Sequence, residues 1–310
     1  MGEGRAMTMR ITEGMTRRTV LQDLSSSKAR LAQLQREIAS GHRITRPSDD
    51  PFGTGRTLQL SGELEAFKQY KSNVDDGIGW VTATETALTR ITDTVQRARE
   101  LLVQGGNDSN GQVAREGIAA EIEALTEAVK QEASVTYDGR YIFSGTATET
   151  RPYELGPGDE YRGDEGTIQR VIGRGVSIGV NVDIQQILGN GAAAGDDKLL
   201  DVLRDIATDL RGGTAANAEA LRGTDLERLS DNIDELTRVR AVVGATTNRL
   251  ETAGTRLEQL QEASLKQLSQ VYDADMPQAL VNFSAEQNAY ETALRAGAKL
   301  IQPSLMDFLR

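Results

Sequence analysis

Cysteine is absent from the 310 residues of this chain, and histidine occurs once, as His42. The absence of thiols excludes disulfides, zinc–thiolate sites and cysteine nucleophiles. A Ser-His-Asp triad would have to use His42, and metal sites built from several histidines are impossible. Aromatic residues make up only 4% of the chain, which disfavours a large aromatic-lined pocket. We therefore expect no enzyme activity and no catalytic, cofactor-binding or metal-binding residues.

Long apolar runs are also missing from the sequence. No window approaches eighteen apolar residues, so we expect no membrane-spanning helix. Residues 1–18 include basic side chains but no apolar run behind them, unlike a Sec-type signal peptide. We expect a cytoplasmic protein or one that is exported by a route that reads no such signal. Met1, Met7 and Met9 are alternative natural starts.

Charge is unevenly distributed along the chain, whose formal net charge is −11. Residues 1–46 carry nine Lys or Arg against four Asp or Glu, and the remainder carries 26 against 42. A nucleic-acid-binding protein usually has a basic face, so this class is disfavoured. The basic start fits pairing with an acidic neighbour or with the acidic body, but equally a solvated helix face.

Apolar residues recur at alternating steps of four and three at both ends of the chain, which is the heptad pattern of a coiled coil. The N-terminal set is Val20, Leu24, Ser27, Leu31, Leu34 and Ile38. The C-terminal set is Met276, Leu280, Phe283, Gln287, Tyr290, Leu294, Gly297, Ile301, Leu305 and Phe308. We expect the two ends to pair and to form an interface for assembly or for a chaperone. The residues expected in it are Val20, Leu24, Leu31, Leu34, Ile38, Leu280, Phe283, Tyr290, Leu294, Ile301, Leu305 and Phe308.

Two interpretations of this terminal pair remain open. In the first, the pair buries too little apolar surface to be stable in the isolated chain, and it becomes stable only when it packs against other subunits or a partner. In the second, it is an ordinary helical hairpin packed on its own domain.

Local signals divide the rest of the chain. Gly41 suits the left-handed position that ends a helix, and Asp50 followed by Pro51 is a typical helix start. His42 lies between them and is interpreted as a solvated loop residue. Predicted helices span about 20–40, 52–104, 118–137, 196–210 and 225–272. A Gly-rich stretch with β-branched alternation, 139–182, predicts short strands.

The predicted fold is mainly α with a small β insertion, arranged as a nested rod of long helices. The terminal helices form a coiled-coil pair, and the β domain lies at the tip. We expect an inner terminal domain from residues 1–44 and 274–310. A helical rod domain comprises 45–138 and 196–273, and an outer β-rich domain comprises 139–195.

Three motifs resemble the flagellin-like axial proteins of bacterial flagella, and within them the hook–filament junction proteins. The first is residues 31–44 (LAQLQREIASGHRI) with Pro47-Ser-Asp-Asp-Pro51. The second is residues 139–146 (GRYIFSGT), and the third is residues 297–309 (GAKLIQPSLMDFL). With the nested order of helices, the resemblance covers nearly the whole chain.

The resemblance implies a structural, non-enzymatic subunit that is secreted by the flagellar type III apparatus. It implies an inner coiled coil lining the axial channel and a β domain facing outward. The implied partners are the first hook-associated protein, flagellin, further copies of the chain in a ring, and an export chaperone on the C-terminal segment. The alternatives are a filament flagellin, against which the Gln302-Pro-Ser-Leu305 ending argues, and a cytoplasmic coiled-coil scaffold.

Overall fold

A computed structural model describes residues 13–107, 111–156, 160–192 and 194–301. The helices are α1 (Glu13–Ser40), α2 (Pro51–Gly105), α3 (Gln112–Ala133), α4 (Gln185–Leu188), α5 (Leu199–Gly212), α6 (Ala215–Arg222), α7 (Thr224–Tyr272) and α8 (Met276–Ile301). The strands are β1 (Thr136–Tyr137), β2 (Arg140–Tyr141), β3 (Gln169–Gly173) and β4 (Val176–Gly179). The fold class predicted from the sequence, mainly α with a small β insertion, is confirmed.

The chain divides into two compact units. We call Met1–Glu65 with Glu262–Arg310 the terminal unit and Ala66–Gln261 the central unit. The three-domain division drawn from the sequence stays a prediction.

The helix boundaries of the terminal unit follow local signals in the sequence. Gly41 has φ +74°, and its N–H donates to the Glu37 carbonyl at 2.9 Å, which ends α1. Asp50 Oδ1 accepts a 2.8 Å hydrogen bond from the Gly53 N–H, which caps the start of α2. Both signals are confirmed. Helix α1 already includes Glu13, whereas the sequence pattern placed its start near Val20.

The core of the central unit is a continuous apolar cluster. Trp80 and Leu88 of α2 are buried there, and α3 packs against α5. Along α2, apolar residues spaced three or four apart are buried or partly buried, from Leu60 to Val95. Helices α4 and α6 were missed in the sequence. Helix α6 starts with a reciprocal capping box between Thr214 and Asn217, inside a stretch that looked merely polar.

Two antiparallel hairpins make up the β part. Strands β1 and β2 pair Thr136 with Tyr141 and are joined by Asp138 and Gly139, both at positive φ. A two-residue hairpin turn of this kind needs such a conformation, which Asp-Gly adopts readily. Strands β3 and β4 pair Gln169 with Gly179, with a bulge just before the turn.

Candidate assembly surface

Helices α1 and α8 of the terminal unit lie side by side and antiparallel. At one end, a Cβ placed on Gly297 would lie 3.1 Å from Val20 Cγ1. At the other end, the Ala274 N–H donates to the Gly41 carbonyl at 3.0 Å. The pairing of the terminal helices expected from the sequence is confirmed for the described residues.

The α1 side of this pair uses the residues chosen from the sequence. Ser27 is buried, and the five apolar positions are all partly buried. They are Val20, Leu24, Leu31, Leu34 and Ile38. The four-three rhythm of α1 therefore marks its inward face correctly.

On α8 some of the heptad positions chosen from the sequence are buried or partly buried and others are exposed, while their role as an assembly or chaperone interface stays a prediction. Phe283 and Tyr290 are partly buried as expected. Leu280 and Leu294, however, are 50% and 44% exposed. The face that packs inward at the intervening positions carries Ala279, Glu286 and Ala293 instead, one residue earlier in each case.

The reason for this difference in burial is the size of the side chains. Sequence reasoning chose the larger apolar residue of each adjacent pair. The two helices instead approach each other through small residues, Ala279, Ala293 and Gly297, so the leucines lie at the margin of the seam. Ile301 is the last residue of α8, and Leu305 and Phe308 lie outside the described residues.

A polar contact lies within the apolar seam. The Ser27 hydroxyl donates to Glu286 Oε1 at 2.6 Å, and Arg30 Nη2 donates to the same oxygen at 2.9 Å. The Ser27 hydrogen bond and then the Arg30 guanidinium lower the pKa of the Glu286 carboxyl below its ordinary value. This contact fixes the register of α8 on α1, and sequence reasoning missed it because Gln287 fitted the heptad count.

The loop after α1 pairs with the break between α7 and α8. His42 forms an antiparallel bridge with Asp273, and the Arg43 N–H donates to the Tyr272 carbonyl at 2.8 Å. The His42 ring stacks on Tyr272 with centroids 4.0 Å apart, and its Nδ1 lies 3.2 Å from Asp273 Oδ1. His42 thus lies in a loop with its side chain 38% exposed, and in addition it joins two segments 231 positions apart.

The terminal unit leaves large apolar side chains in solvent. On α8, Leu280, Val281 and Leu294 are exposed, and so is Leu21 of α1. Phe52 at the start of α2 is 88% exposed. Exposed apolar side chains also occur on the central unit, among them Val103 and Val113, so exposure alone does not single out the terminal unit.

Neither a metal-ligand cluster nor a membrane-spanning helix is present among the described residues. Within those residues, no three acidic or histidine side chains are grouped as metal ligands. In the same part of the chain, none of the helices combines the length and the apolar character that crossing a membrane requires.

Comparison with known proteins relates the chain to flagellar proteins. The profile of the bacterial flagellin N-terminal helical region matches residues 11–148, and that of the C-terminal helical region matches residues 226–309. Flagellar hook-associated protein 3 of Escherichia coli (strain K12) is 25% identical over 304 residues, covering 93% of this chain and 96% of that protein. Flagellin of Bacillus subtilis (strain 168) is 27% identical over 284 residues, covering 89% and 91%.

The fold has solved counterparts. The crystal structure of flagellar hook associated protein-3 from Legionella pneumophila superposes with a TM-score of 0.60 at 14% identity, covering 69% of this chain and 98% of that chain. At this identity the likeness shows the fold alone. The two flagellin profiles together match most of the chain, and the chain belongs to the bacterial flagellin family.

Proposed function

We propose that this chain is a structural subunit of the junction between the hook and the filament of a bacterial flagellum. The observation that carries the proposal is the similarity to a hook-associated protein 3 over nearly the full length of both chains. Membership of a structural, non-enzymatic family agrees with a surface made for packing rather than for chemistry.

The terminal pair is the part of the molecule proposed to carry assembly. Its seam residues hold α1 against α8, while Leu280, Val281 and Leu294 remain exposed for contact with a neighbour. We propose neighbouring copies in a ring, the first hook-associated protein and flagellin as the assembled partners. Before export, a chaperone covers the C-terminal segment, and the flagellar type III apparatus then secretes the chain.

A genetic experiment tests this function. In the source bacterium, deletion of the gene should leave hooks in place, abolish filaments and release flagellin into the medium. The wild-type gene should restore filaments, and Leu280→Asp with Leu294→Asp should not. The matched control is Val103→Asp with Val113→Asp, two exposed residues of the central unit, which should restore them.

Three results would refute the proposal. One is filament growth in the deletion strain, another is loss of hooks in that strain, and the third is equal failure of the two double variants. The secreted amount of each variant is measured in the same cultures, so that a block in export is distinguished from a block in assembly.

A filament flagellin is the second candidate, favoured by the 27% identity to the Bacillus subtilis flagellin. Abundance separates the two. A filament protein is the main component of sheared filaments, whereas a junction protein is a minor one. The cytoplasmic scaffold considered from the sequence has no support from the family assignment.

A further inference from the structure

An apolar groove in the central unit is lined by three arginines, Arg174, Arg249 and Arg256. Its volume is about 640 Å³, and it lies between α2, α7 and the β3–β4 hairpin. The apolar lining comprises Phe67, Tyr70, Ile172, Val176, Leu257 and Leu260. Val176 and Leu260 are 51% and 41% exposed, so apolar surface is open to a ligand.

The walls of this groove are held in place by specific contacts. Asn73 Nδ2 donates to the Val171 carbonyl at 2.7 Å, and Arg170 Nε donates to Asp76 Oδ2 at 2.6 Å. Both contacts tie the hairpin to α2. The groove is therefore a formed feature of the central unit.

The three arginines differ in their pairing from Lys71, a cation close to the groove. Lys71, close to the groove, pairs with Asp75 and Glu258, each at 3.0 Å. Arg174, Arg249 and Arg256 form no ion pair or side-chain hydrogen bond with another residue in the described ranges, although the chain has more acidic than basic side chains. Guanidinium groups beside apolar surface suit a ligand that combines carboxylates with an apolar group.

The length of the groove indicates a protein segment as the ligand. Its α7 wall extends from Asn248 to Leu260, which is about 18 Å along a helix at about 1.5 Å per residue. Arg249 and Arg256 lie two turns apart on this wall, about 10.5 Å. Two carboxylates seven residues apart on a helix match this spacing.

We propose that the groove binds an acidic amphipathic segment of a partner protein, with two carboxylates about 10 Å apart and an apolar side chain between them. The apolar side chain packs on Leu257 and Leu260, and the carboxylates pair with Arg249 and Arg256. This interaction surface is separate from the terminal unit and does not depend on the proposed junction function.

Binding of a designed peptide by the full-length protein tests the proposal. The probe is a fluorescent helical peptide with two glutamates seven residues apart and leucines between them. Its controls are the same composition in scrambled order and a version with lysine in place of both glutamates. Anisotropy titration at low salt should give saturable binding of the first peptide only. Arg249→Gln with Arg256→Gln should weaken that binding at least tenfold.

Matched variants make the result specific. Arg238→Gln, an exposed arginine of α7 outside the groove, should leave binding unchanged. The double variant Arg249→Glu with Arg256→Glu should no longer bind the glutamate peptide and should bind the lysine peptide instead. Far-UV circular dichroism and thermal unfolding of each variant verify that it is folded.

Several outcomes would overturn the proposal. They are absence of saturable binding by the wild-type chain, equal binding of the scrambled peptide, or an equal loss in Arg238→Gln. Decyl sulfate serves as a small amphipathic anion in a parallel titration. Binding of decyl sulfate without binding of the glutamate peptide would refute a protein segment as the ligand.

Discussion

The hydroxyl of Ser27 donates a 2.6 Å hydrogen bond to Glu286, across the antiparallel pair of α1 and α8. A serine and a glutamate thus meet at a level where the heptad pattern would normally place two apolar residues. The contact is charge-assisted and supplemented by Arg30, so it specifies which turn of α8 meets which turn of α1.

The first prediction concerns this hydrogen bond. Ser27→Ala should destabilise the terminal pair, because it removes a charge-assisted hydrogen bond. Native-state hydrogen exchange should show faster exchange in α1 and α8 and unchanged protection in the central unit. The control is Ser25→Ala, an exposed residue of the same helix. Equal effects of the two substitutions would show that the contact is not specific.

The second prediction tests which face of α8 packs inward. Ala279 is 4% exposed and its neighbour Leu280 is 50% exposed. Ala279→Asp should open the terminal pair in the monomer, because it buries an unpaired charge. Leu280→Asp should change the stability of the monomer by less than about 0.5 kcal/mol, as is usual for surface substitutions. Hydrogen exchange of α8 measures both, and the reverse order of effects would restore the assignment made from the sequence.

The third prediction concerns the close approach of the helices at Gly297. A Cβ there would lie 3.1 Å from Val20 Cγ1, so a large side chain has no space without movement of α1. Gly297→Leu should destabilise the pair by about 1–3 kcal/mol through overpacking. Ala298→Leu, at an exposed position, is the matched control and should be neutral. Unfolding is followed by the hydrogen exchange of α1, and equal protection in both variants would contradict the packing described.

The fourth prediction concerns pH and the central unit. Burial raises the pKa of Asp225 to about 6, with repulsion from Asp209 and Asp205 adding to the effect and Arg228 opposing it. An unfolded aspartate has a pKa of about 3.9, so the folded state binds the proton more tightly. The contribution of this group to stability is therefore favourable at low pH and is lost as pH rises from about 4 to 6.

Replacing the carboxyl isolates that contribution. Asp225→Asn should be more stable than wild type at pH 7, and the gain should shrink or reverse at pH 5. The control is Asp231→Asn, at an exposed position of α7. Urea unfolding at both pH values measures the difference, and an Asp225→Asn gain that is the same at pH 5 and 7 would exclude titration of this group.

The fifth prediction concerns the start of α2. Asp50 accepts a hydrogen bond from the Gly53 N–H at 2.8 Å. Asp50→Ala should cost about 1 kcal/mol, the usual value for removal of an N-cap side chain. Asp50→Asn should retain most of the stability, because asparagine is an equally good cap. Urea unfolding compares the two variants, and an equal loss in both would assign the effect to the nearby Arg43–Asp50 ion pair instead.

Sequence reasoning predicted those features that depend on local chemistry. The four-three rhythm located the terminal helices α1 and α8, Gly41 marked the end of α1, and Asp50 with Pro51 marked the start of α2. Such signals lie within a few residues of the structure that they specify, so one sequence suffices to find them.

Features that depend on distant residues could not be predicted in this way. The stacking of His42 on Tyr272 joins segments far apart in the chain. Whether Ala279 or Leu280 faces α1 depends on how closely the two helices approach each other. This distance cannot be derived from the sequence of α8 alone. The apolar groove of the central unit is lined by residues of α2, the β3–β4 hairpin and α7. None of these segments has a local sequence pattern that indicates a binding site.

Electron cryo-microscopy of intact hook–filament complexes from the source bacterium tests the junction function most directly, with the chain located by an epitope tag in the β3–β4 turn. The tag should form one narrow band between the end of the hook and the first filament subunits. Within the band, α1 and α8 of the chain should contact neighbouring subunits. A tag distributed along the whole filament, or absent from the hook–filament boundary, would contradict the function proposed for this chain.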